Sequence, residues 1–411
     1  MVIAAAQGVA ALASAGAAIL LARAMGSAGF GEAMVLISLA MLGGALLAAN
    51  LDAVLLPALA RGEDAVLVQA RWTVIGLGTL AALGLYSLAQ IGVLAPMSAA
   101  TLALALPALA AMRLLARAGV ARGRTAAAVL PRILARPLAL LFCGVAALML
   151  STAPPVWAPL LLLGAAALLA ASVQAVALQG RLGAEGQGGH LKRFRQAAAH
   201  APSALMTEFH RPLVVLTAAM VLTPEATGAL ALALSLAAAP AIAATGVDMA
   251  VSPGLAQAVA KTTPDLRPRM ARAMRLRVAA LALAGAAIAL IGPTAVRLAG
   301  AEPEVLHLVW ILSLGPAARA LLGAPLMLLS FAGAFSAAGR LSLGAACASV
   351  GLILLGGQAA GALGAALGSS ICLIGLSVLA RRRAAAHPAL VPAFGKGSAE
   401  DLALQEKAAP T

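Results

Sequence analysis

The chain has 411 residues, of which 63% are hydrophobic and 10% charged; its formal net charge is +14 and its mean hydropathy +1.01. A soluble protein could not cover its surface with so few charged residues, whereas a lipid bilayer accepts an almost wholly apolar exterior. The composition therefore excludes a soluble globular protein and predicts an all-α polytopic membrane protein.

Twelve apolar segments approach or exceed the roughly 20 residues that a helix needs to cross about 30 Å of hydrocarbon. In chain order they are residues 2–22, 33–60, 72–93, 98–116, 125–150, 156–179, 203–222, 226–250, 276–296, 305–330, 333–356 and 358–380. They form two pseudo-symmetric six-helix bundles, 1–180 and 203–381. A cytoplasmic linker at 181–202 joins them, and a disordered cytoplasmic tail at 382–411 follows.

Basic residues give an independent check on this topology, because cytoplasmic loops are enriched in Lys and Arg. With the amino terminus inside, the outer loops carry only Arg23 and Arg297. The inner connections carry Arg61, Arg71, Arg113, Arg117, Arg122, Arg124, Arg181, Lys192, Arg193, Arg195, Lys261, Arg267, Arg269, Arg272, Arg275 and Arg277. The alternation predicts a multi-pass protein of the cytoplasmic (inner) membrane with both termini in the cytoplasm.

Several other classes of function find little support in the residues. The clustered basic residues beside the spans fit topology signals and contact with membrane lipids, and the stacking aromatics of a nucleic-acid site are missing. Three cysteines, Cys143, Cys347 and Cys372, have no ligand-like spacing, so neither a metal nor a cofactor is predicted. Short polar loops without a catalytic constellation indicate that the chain is not an enzyme.

An internal repeat suggests what the spans do. An aspartate followed after four residues by Pro-x-Leu-Ala occurs twice, starting at Asp52 and at Asp248, and each copy closes an apolar stretch that opens at Gly31 or Gly228. Two halves with six spans each have the same orientation, so they should be related by an axis along the membrane normal, with a cavity between them. Carboxylates and prolines inside hydrocarbon at matching places of two repeats are typical of transporters.

Two motifs suggest a family. Residues 20–31, LLARAMGSAGFG, resemble the opening of polysaccharide-biosynthesis flippases of the multidrug/oligosaccharidyl-lipid/polysaccharide superfamily, and residues 223–234, TPEATGALALAL, are similar to that family's entry into helix 8. Two departures from the family pattern stand out. His210 and Arg211 occupy the part of helix 7 where many members carry an acidic residue, and the tyrosine that usually follows the entry glycine is absent from both halves.

The resemblance implies that a lipid-linked oligosaccharide or polysaccharide precursor crosses the membrane by alternating access, with glycan-assembly enzymes as further partners. Two alternatives remain open at this stage. A cation-coupled multidrug or metabolite antiporter of the same superfamily would need a smaller, more acidic or aromatic cavity. A non-transporting membrane scaffold would pack its halves without a central cavity.

Intramembrane arginines are the candidate substrate-binding residues. A central arginine costs about 2.5–3.5 kcal/mol to insert, so Arg132, Arg136, Arg211 and Arg319 should face an aqueous cavity, where guanidinium groups can bind phosphate. Arg319 is the strongest candidate, about 21 Å into the tenth span. Arg132 and Arg136 share one face of the fifth span, although a later helix start would let both reach the headgroups. Arg23, in the family's opening motif, could receive phosphate on release or simply cap its helix.

Acidic residues inside the spans are the candidates for ion or proton coupling. Asp52 and Asp248 lie at equivalent positions of the repeat, and each could exchange protons or pair with an intramembrane arginine to hold the halves in register. Glu208 precedes Arg211 by three residues, so these two side chains could neutralise each other on one helix face.

Overall fold

The computed structural model describes residues 2–48, 51, 55, 59, 65–178, 206, 209–260 and 266–391. All the regular structure in this part of the chain is helical. The first half consists of α1 (Val2–Leu47), α2 (Ala65–Gln90), α3 (Pro96–Ala121), α4 (Thr125–Met149) and α5 (Ala158–Leu178). The second half consists of α6 (His210–Ala218), α7 (Pro224–Leu236), α8 (Ala238–Ala260), α9 (Leu266–Leu298), α10 (Val305–Leu321), α11 (Pro325–Phe331) and α12 (Phe335–Ala385).

Two of these helices are too long for a single crossing. At 1.5 Å per residue, α1 with 46 residues and α12 with 51 residues would span about 69 and 77 Å. Each contains a break in the helical backbone, at Gly26 in α1 and at Ala360 and Gly361 in α12. In α12 the break reverses the chain. A Cβ on Gly368 would lie 3.1 Å from the amide nitrogen of Ile353, on the preceding arm of the same hairpin.

The described helices account for eleven of the twelve predicted crossings. Nine helical stretches of the described residues are long and apolar enough to cross a membrane. Because α1 and α12 supply two crossings each, these stretches provide eleven. The short helix α6 lies within the predicted seventh span, 203–222, whose first residues are largely outside the described part of the chain. The prediction of an all-α protein with two pseudo-symmetric six-helix bundles is confirmed.

The repeat is visible in the packing of the two halves. Leu59 and Leu255 occupy the same position of the repeated Asp-x4-Pro-x-Leu-Ala pattern, and both are buried. Leu59 belongs to a hydrophobic cluster that also contains Val66 and Leu178, at the predicted inner end of the first half. Leu255 belongs to the corresponding cluster of the second half, with Leu266. Equivalent residues therefore stabilise equivalent ends of the two bundles.

The halves contact each other mainly through α1. Its second arm packs against α7, where the two glycines that open the repeat, Gly31 and Gly228, lie directly against each other. A Cβ on Gly31 would clash with the carbonyl oxygen of Pro224 and lie 2.8 Å from the amide nitrogen of Gly228. Only glycine allows this close approach of two helix backbones. The N-terminus of α7 is fixed there by Thr223, whose Oγ1 accepts a hydrogen bond from the Ala226 amide at 3.3 Å.

Two further contacts join the halves. The Arg23 guanidinium donates a long hydrogen bond, 3.5 Å, to the carbonyl of Leu298 at the end of α9. The Arg113 guanidinium of α3 stacks on the ring of Phe209, 4.8 Å from its centroid. Arg113 was predicted to lie in an inner loop. It is instead buried in α3, since that helix continues to Ala121.

The predicted linker, 181–202, lies outside the described residues. The predicted tail begins at 382, but α12 continues to Ala385 and is followed by a 3-10 turn at Pro388–Leu390. Ala384 and Leu390 are buried in the inner cluster of the second half, and this packing keeps the chain helical beyond the predicted end of the span. Residues 392–411 lie outside the described part.

Candidate functional site

A cavity of about 150 Å³ lies inside the second half, between α6, α8, α10 and α12. Its polar lining consists of His210, Arg211, Asp248 and Arg319 together with the hydroxyl residues Thr245 and Ser369. The remaining lining residues are apolar, and no Phe, Tyr or Trp of the described chain lines it. Three of the predicted site residues, Arg211, Asp248 and Arg319, are therefore brought together although they come from three different helices.

The only carboxylate among the described residues that line this cavity is already paired. The Oδ1 atom of Asp248 accepts a hydrogen bond from Nε of Arg277 at 2.7 Å and lies 2.6 Å from its Nη2. The Arg277 side chain is 3% exposed and that of Asp248 is 17% exposed. A buried guanidinium in contact with a carboxylate compensates its charge, so Asp248 contributes little net negative charge to the cavity.

Arg319 projects from the last turn of α10, next to a break in the helix. Gly323 and Ala324 have φ values of 88° and 49°, and the chain resumes as α11 at Pro325. Arg319 interacts electrostatically with Asp248 and Arg277 but makes no hydrogen bond or salt bridge to a residue that the structure describes. It also lines a smaller cavity of about 10 Å³ with Pro325 and Ser377. Its guanidinium is thus available to a ligand from the main cavity.

Arg211 and His210 lie side by side at the start of α6. The Nη2 atom of Arg211 is 3.4 Å from the hydroxyl of Ser235, and its Nε is buried without a hydrogen-bond partner. The Nε2 atom of His210 is 3.5 Å from the hydroxyl of Ser369. These long contacts leave donor capacity on both side chains for a bound anion.

The other candidate arginines lie outside the main cavity. Because α4 begins at Thr125, Arg132 and Arg136 are both inside the helix; the alternative that both reach the headgroups stays a prediction. Arg136 faces a small cavity between the halves, which Arg211 also lines. Arg132 lines none of the three cavities. Arg23 is exposed and contacts the carbonyl of Leu298 at the end of α9. It does not line the main cavity.

Two candidates for coupling, Asp52 and Glu208, lie outside the described residues, so their predicted roles stay predictions. The coupling role of Asp248 also stays a prediction, although its pairing with Arg277 is now defined. No group of three or more His, Cys, Asp or Glu side chains suitable for a metal ion occurs in the described part of the chain.

Sequence reasoning missed Arg277 and Ser369. Arg277 was counted with the inner connection because it lies only one residue inside the predicted start of the ninth span, at 276, whereas α9 begins at Leu266 and Arg277 is well inside it. A helical signal was present: Ala273, Arg277, Ala284 and Ile288 are spaced by four or seven residues and are all buried on one face of α9. An arginine in the apolar stripe of an amphipathic helix indicates a buried partner.

The described lining of the cavity is therefore cationic. Arg211 and Arg319 face it without a carboxylate of their own in the described chain, while Asp248 is neutralised by Arg277. In a low-dielectric interior such groups are costly unless an anion or water compensates them. The arrangement suits the binding of an anionic group, and the apolar walls suit hydrocarbon.

Comparisons with known proteins find similar folds among solved structures. No protein-family model matches the sequence, and no curated protein matches it. Solved structures with a similar fold include an inward-facing multidrug resistance MATE family transporter of the MOP superfamily, with a TM-score of 0.69 and 14% identity over 97% of this chain and 96% of that one. A mutant of the Vibrio cholerae MATE transporter VcmN has a TM-score of 0.57 at 17% identity, covering 93% of this chain and 97% of that one.

A MATE structure in the bent conformation is also similar, with a TM-score of 0.55 and 14% identity, covering 98% of this chain and 94% of that one. The similarity extends over nearly the whole length of each chain. At these identities it establishes the fold alone, which this chain shares with these MATE structures.

Proposed function

We propose that this protein is an alternating-access transporter that moves an anionic, lipid-linked glycan precursor from the inner to the outer leaflet. The fold supplies two pseudo-symmetric bundles of the kind that rock against each other in transporters. The observation that carries the choice of substrate is the charge of the cavity. Arg319 and Arg211 face it, and its one described carboxylate is paired.

The chemistry of such a substrate fits this cavity. A glycolipid phosphate or diphosphate cannot cross hydrocarbon without compensation of its charge, and guanidinium groups bind phosphate oxygens with two parallel hydrogen bonds. Arg319 can approach such a group from α10 and Arg211 from α6, while the apolar residues of α8 offer a surface for hydrocarbon. At about 150 Å³ the cavity would hold the phosphate and its first neighbours. The glycan would extend between the halves.

The alternative is a cation-coupled multidrug antiporter, which the named functions of the similar structures favour. A site for organic cations would present a carboxylate or an aromatic face to its ligand. Here the described lining contains no Phe, Tyr or Trp, and its carboxylate is held by Arg277. For this reason we favour the anionic substrate. A non-transporting scaffold would have no need for unpaired arginines in a cavity.

The test is transport in proteoliposomes. A fluorescent polyprenyl-diphosphate-linked disaccharide would be placed in the membrane, and its movement followed by the loss of fluorescence to a quencher that cannot cross. We expect the purified protein to move this probe, and R319Q to slow it about tenfold or more, since losing a hydrogen bond to a charged group costs about 1.5–3 kcal/mol. R319K should keep part of the rate, because lysine retains the positive charge but lacks the planar guanidinium that binds two phosphate oxygens at once.

The matched control is R340Q, which removes the same charge from an exposed position near the start of α12. It should leave the rate unchanged. A wild-type protein that ignores the disaccharide probe but expels ethidium along a proton or sodium gradient would overturn the proposal in favour of the multidrug alternative.

A further inference from the structure

A second site lies between the halves, where two arginines face one small cavity. Arg136 comes from α4 in the first half and Arg211 from α6 in the second. Ser38 of α1 adds a hydroxyl, and the remaining lining residues, such as Met34 and Val215, are apolar. The cavity volume is about 10 Å³.

The charges of this cavity are not balanced by the described residues. No carboxylate of the described chain lines it. Arg136 makes no hydrogen bond or salt bridge to a described residue. Arg211 interacts unfavourably with Arg136, and its Nε is buried without a partner. Two guanidinium groups around one apolar pocket repel each other in a medium that screens charge poorly, so an anion between them would stabilise this arrangement.

The size of the cavity limits what that anion can be. A volume of about 10 Å³ is close to the minimum that admits one water-sized particle. A phosphate or carboxylate group does not fit in this arrangement of the halves. A monatomic ion is the anion nearest to that size, and the arginines and Ser38 that line the cavity can donate N–H and O–H bonds to it.

We propose that this cavity is a binding site for a small inorganic anion of the halide class, chloride in the cell. The ion bridges α4 of one half and α6 of the other, so it stabilises the arrangement in which Gly31 and Gly228 are in contact. Separation of the halves would release it. The site is distinct from the proposed substrate cavity except for Arg211, and it does not depend on the identity of the transported molecule.

The experiment compares thermal unfolding of the purified protein in sodium chloride, sodium bromide and sodium gluconate at equal ionic strength. An ion that binds only the folded state raises the unfolding temperature by mass action. We expect both halides to raise it relative to gluconate, in a concentration-dependent and saturating manner. R136Q should abolish this response, and in gluconate it should unfold at a higher temperature than wild type because a repulsion has been removed.

The matched control is R132Q. Arg132 lies one turn before Arg136 on the same face of α4 but does not line this cavity. The substitution therefore removes the same charge from the same helix without changing the site. R132Q should keep the halide response. Equal unfolding temperatures in chloride and gluconate would overturn the proposal, because the counter-charge would then come from the chain itself. Loss of the response in R132Q as well as in R136Q would overturn it too.

A second measurement does not depend on any variant folding. Crystals of the wild-type protein grown in bromide should show an anomalous peak between the guanidinium groups of Arg136 and Arg211. Absence of that peak, in crystals where the two side chains are well ordered, would contradict the site.

Discussion

The carboxylate of Asp248 accepts its hydrogen bond from a guanidinium on the neighbouring helix, and this pair sets the charge of the main cavity. With Arg277 in place, Arg319 and Arg211 dominate the field inside it. Without Arg277, the carboxylate would be free to pair with Arg319 across the cavity, with which it already interacts. Arg277 is therefore as important to the site as the residues that line it, although it does not line the cavity itself.

This role leads to a prediction about stability. R277Q leaves Asp248 without its partner in a largely buried position, and breaking a buried pair typically costs about 3–5 kcal/mol. We expect a loss of free energy of unfolding of about 3 kcal/mol, at the low end because the Asp248 side chain is 17% exposed. Unfolding by titration with sodium dodecyl sulfate would measure it.

A neighbouring arginine provides the comparison. R275Q removes the same charge from an exposed side chain two residues earlier in α9 and should change the free energy of unfolding by less than about 0.5 kcal/mol. If R277Q and R275Q are equally mild, the contact between Asp248 and Arg277 does not contribute to the folded state as described.

For single residues, the sequence predicted which side chains should face a cavity but not which residues they contact. Arginine inside an apolar span is costly, and that cost alone predicts that Arg211 and Arg319 face a cavity. It does not identify what neutralises a carboxylate. Asp248 and Arg277 are 29 residues apart and lie on different helices. Their contact depends on how α8 packs against α9, which hydropathy does not specify.

At the scale of helices, span length was predictable because the bilayer sets it. The predicted fifth and sixth spans, 125–150 and 156–179, differ from α4 and α5 by no more than two residues at either end. The ninth was predicted ten residues too short at its start, since α9 begins at Leu266. Its first turns carry exposed arginines beside buried Leu266 and Ala273, so they form an amphipathic helix. The mean hydropathy of such a segment is low, and a search for apolar stretches does not detect it.

The contact between Gly31 and Gly228 is the clearest product of the repeat at this scale. Both were identified in the sequence as the start of a repeated stretch, but nothing in the sequence showed that they would meet. Two equivalent elements meet when they lie next to the pseudo-symmetry axis, so the second arm of α1 and α7 should lie beside it.

G31A tests this contact. The added Cβ would clash with the Pro224 carbonyl oxygen and lie 2.8 Å from the Gly228 amide nitrogen. Both are backbone atoms that cannot rotate away. Overpacking of this kind costs about 1–3 kcal/mol, and here it can be relieved by separating α1 from α7. We expect a lower unfolding temperature than that of the wild type.

The matched substitution is G246A in α8, where a Cβ would meet no atom within 4 Å. It should be neutral or slightly stabilising, since alanine favours helix. The double variant G31A/G228A should cost less than the sum of the two single variants, because both act on one contact. Additive effects would mean that the two glycines do not share it.

At the scale of the whole molecule, the distribution of charge gives the fold a direction. The loop and helix ends that carry exposed arginines, such as Arg382 and Arg383, lie at the end of each bundle that also holds the Leu59 and Leu255 clusters. The opposite end carries Glu302 and Glu304. Positively charged loops are retained in the cytoplasm, so the arginine-rich end should face inward. The proposed direction of transport depends on this orientation, as does the side of the membrane to which Arg319 lies nearer.

Cysteine labelling decides the orientation. In a background with Cys143, Cys347 and Cys372 replaced by serine, T152C places a single thiol in the connection between α4 and α5, and A386C places one just beyond α12; both positions are exposed. A maleimide that cannot cross membranes should label T152C in intact spheroplasts. It should label A386C only after the membrane is permeabilised, because the positively charged end faces the cytoplasm. The reverse pattern would invert the assignment of inner and outer ends, and the proposed transport from the inner leaflet would then have to run from the other side.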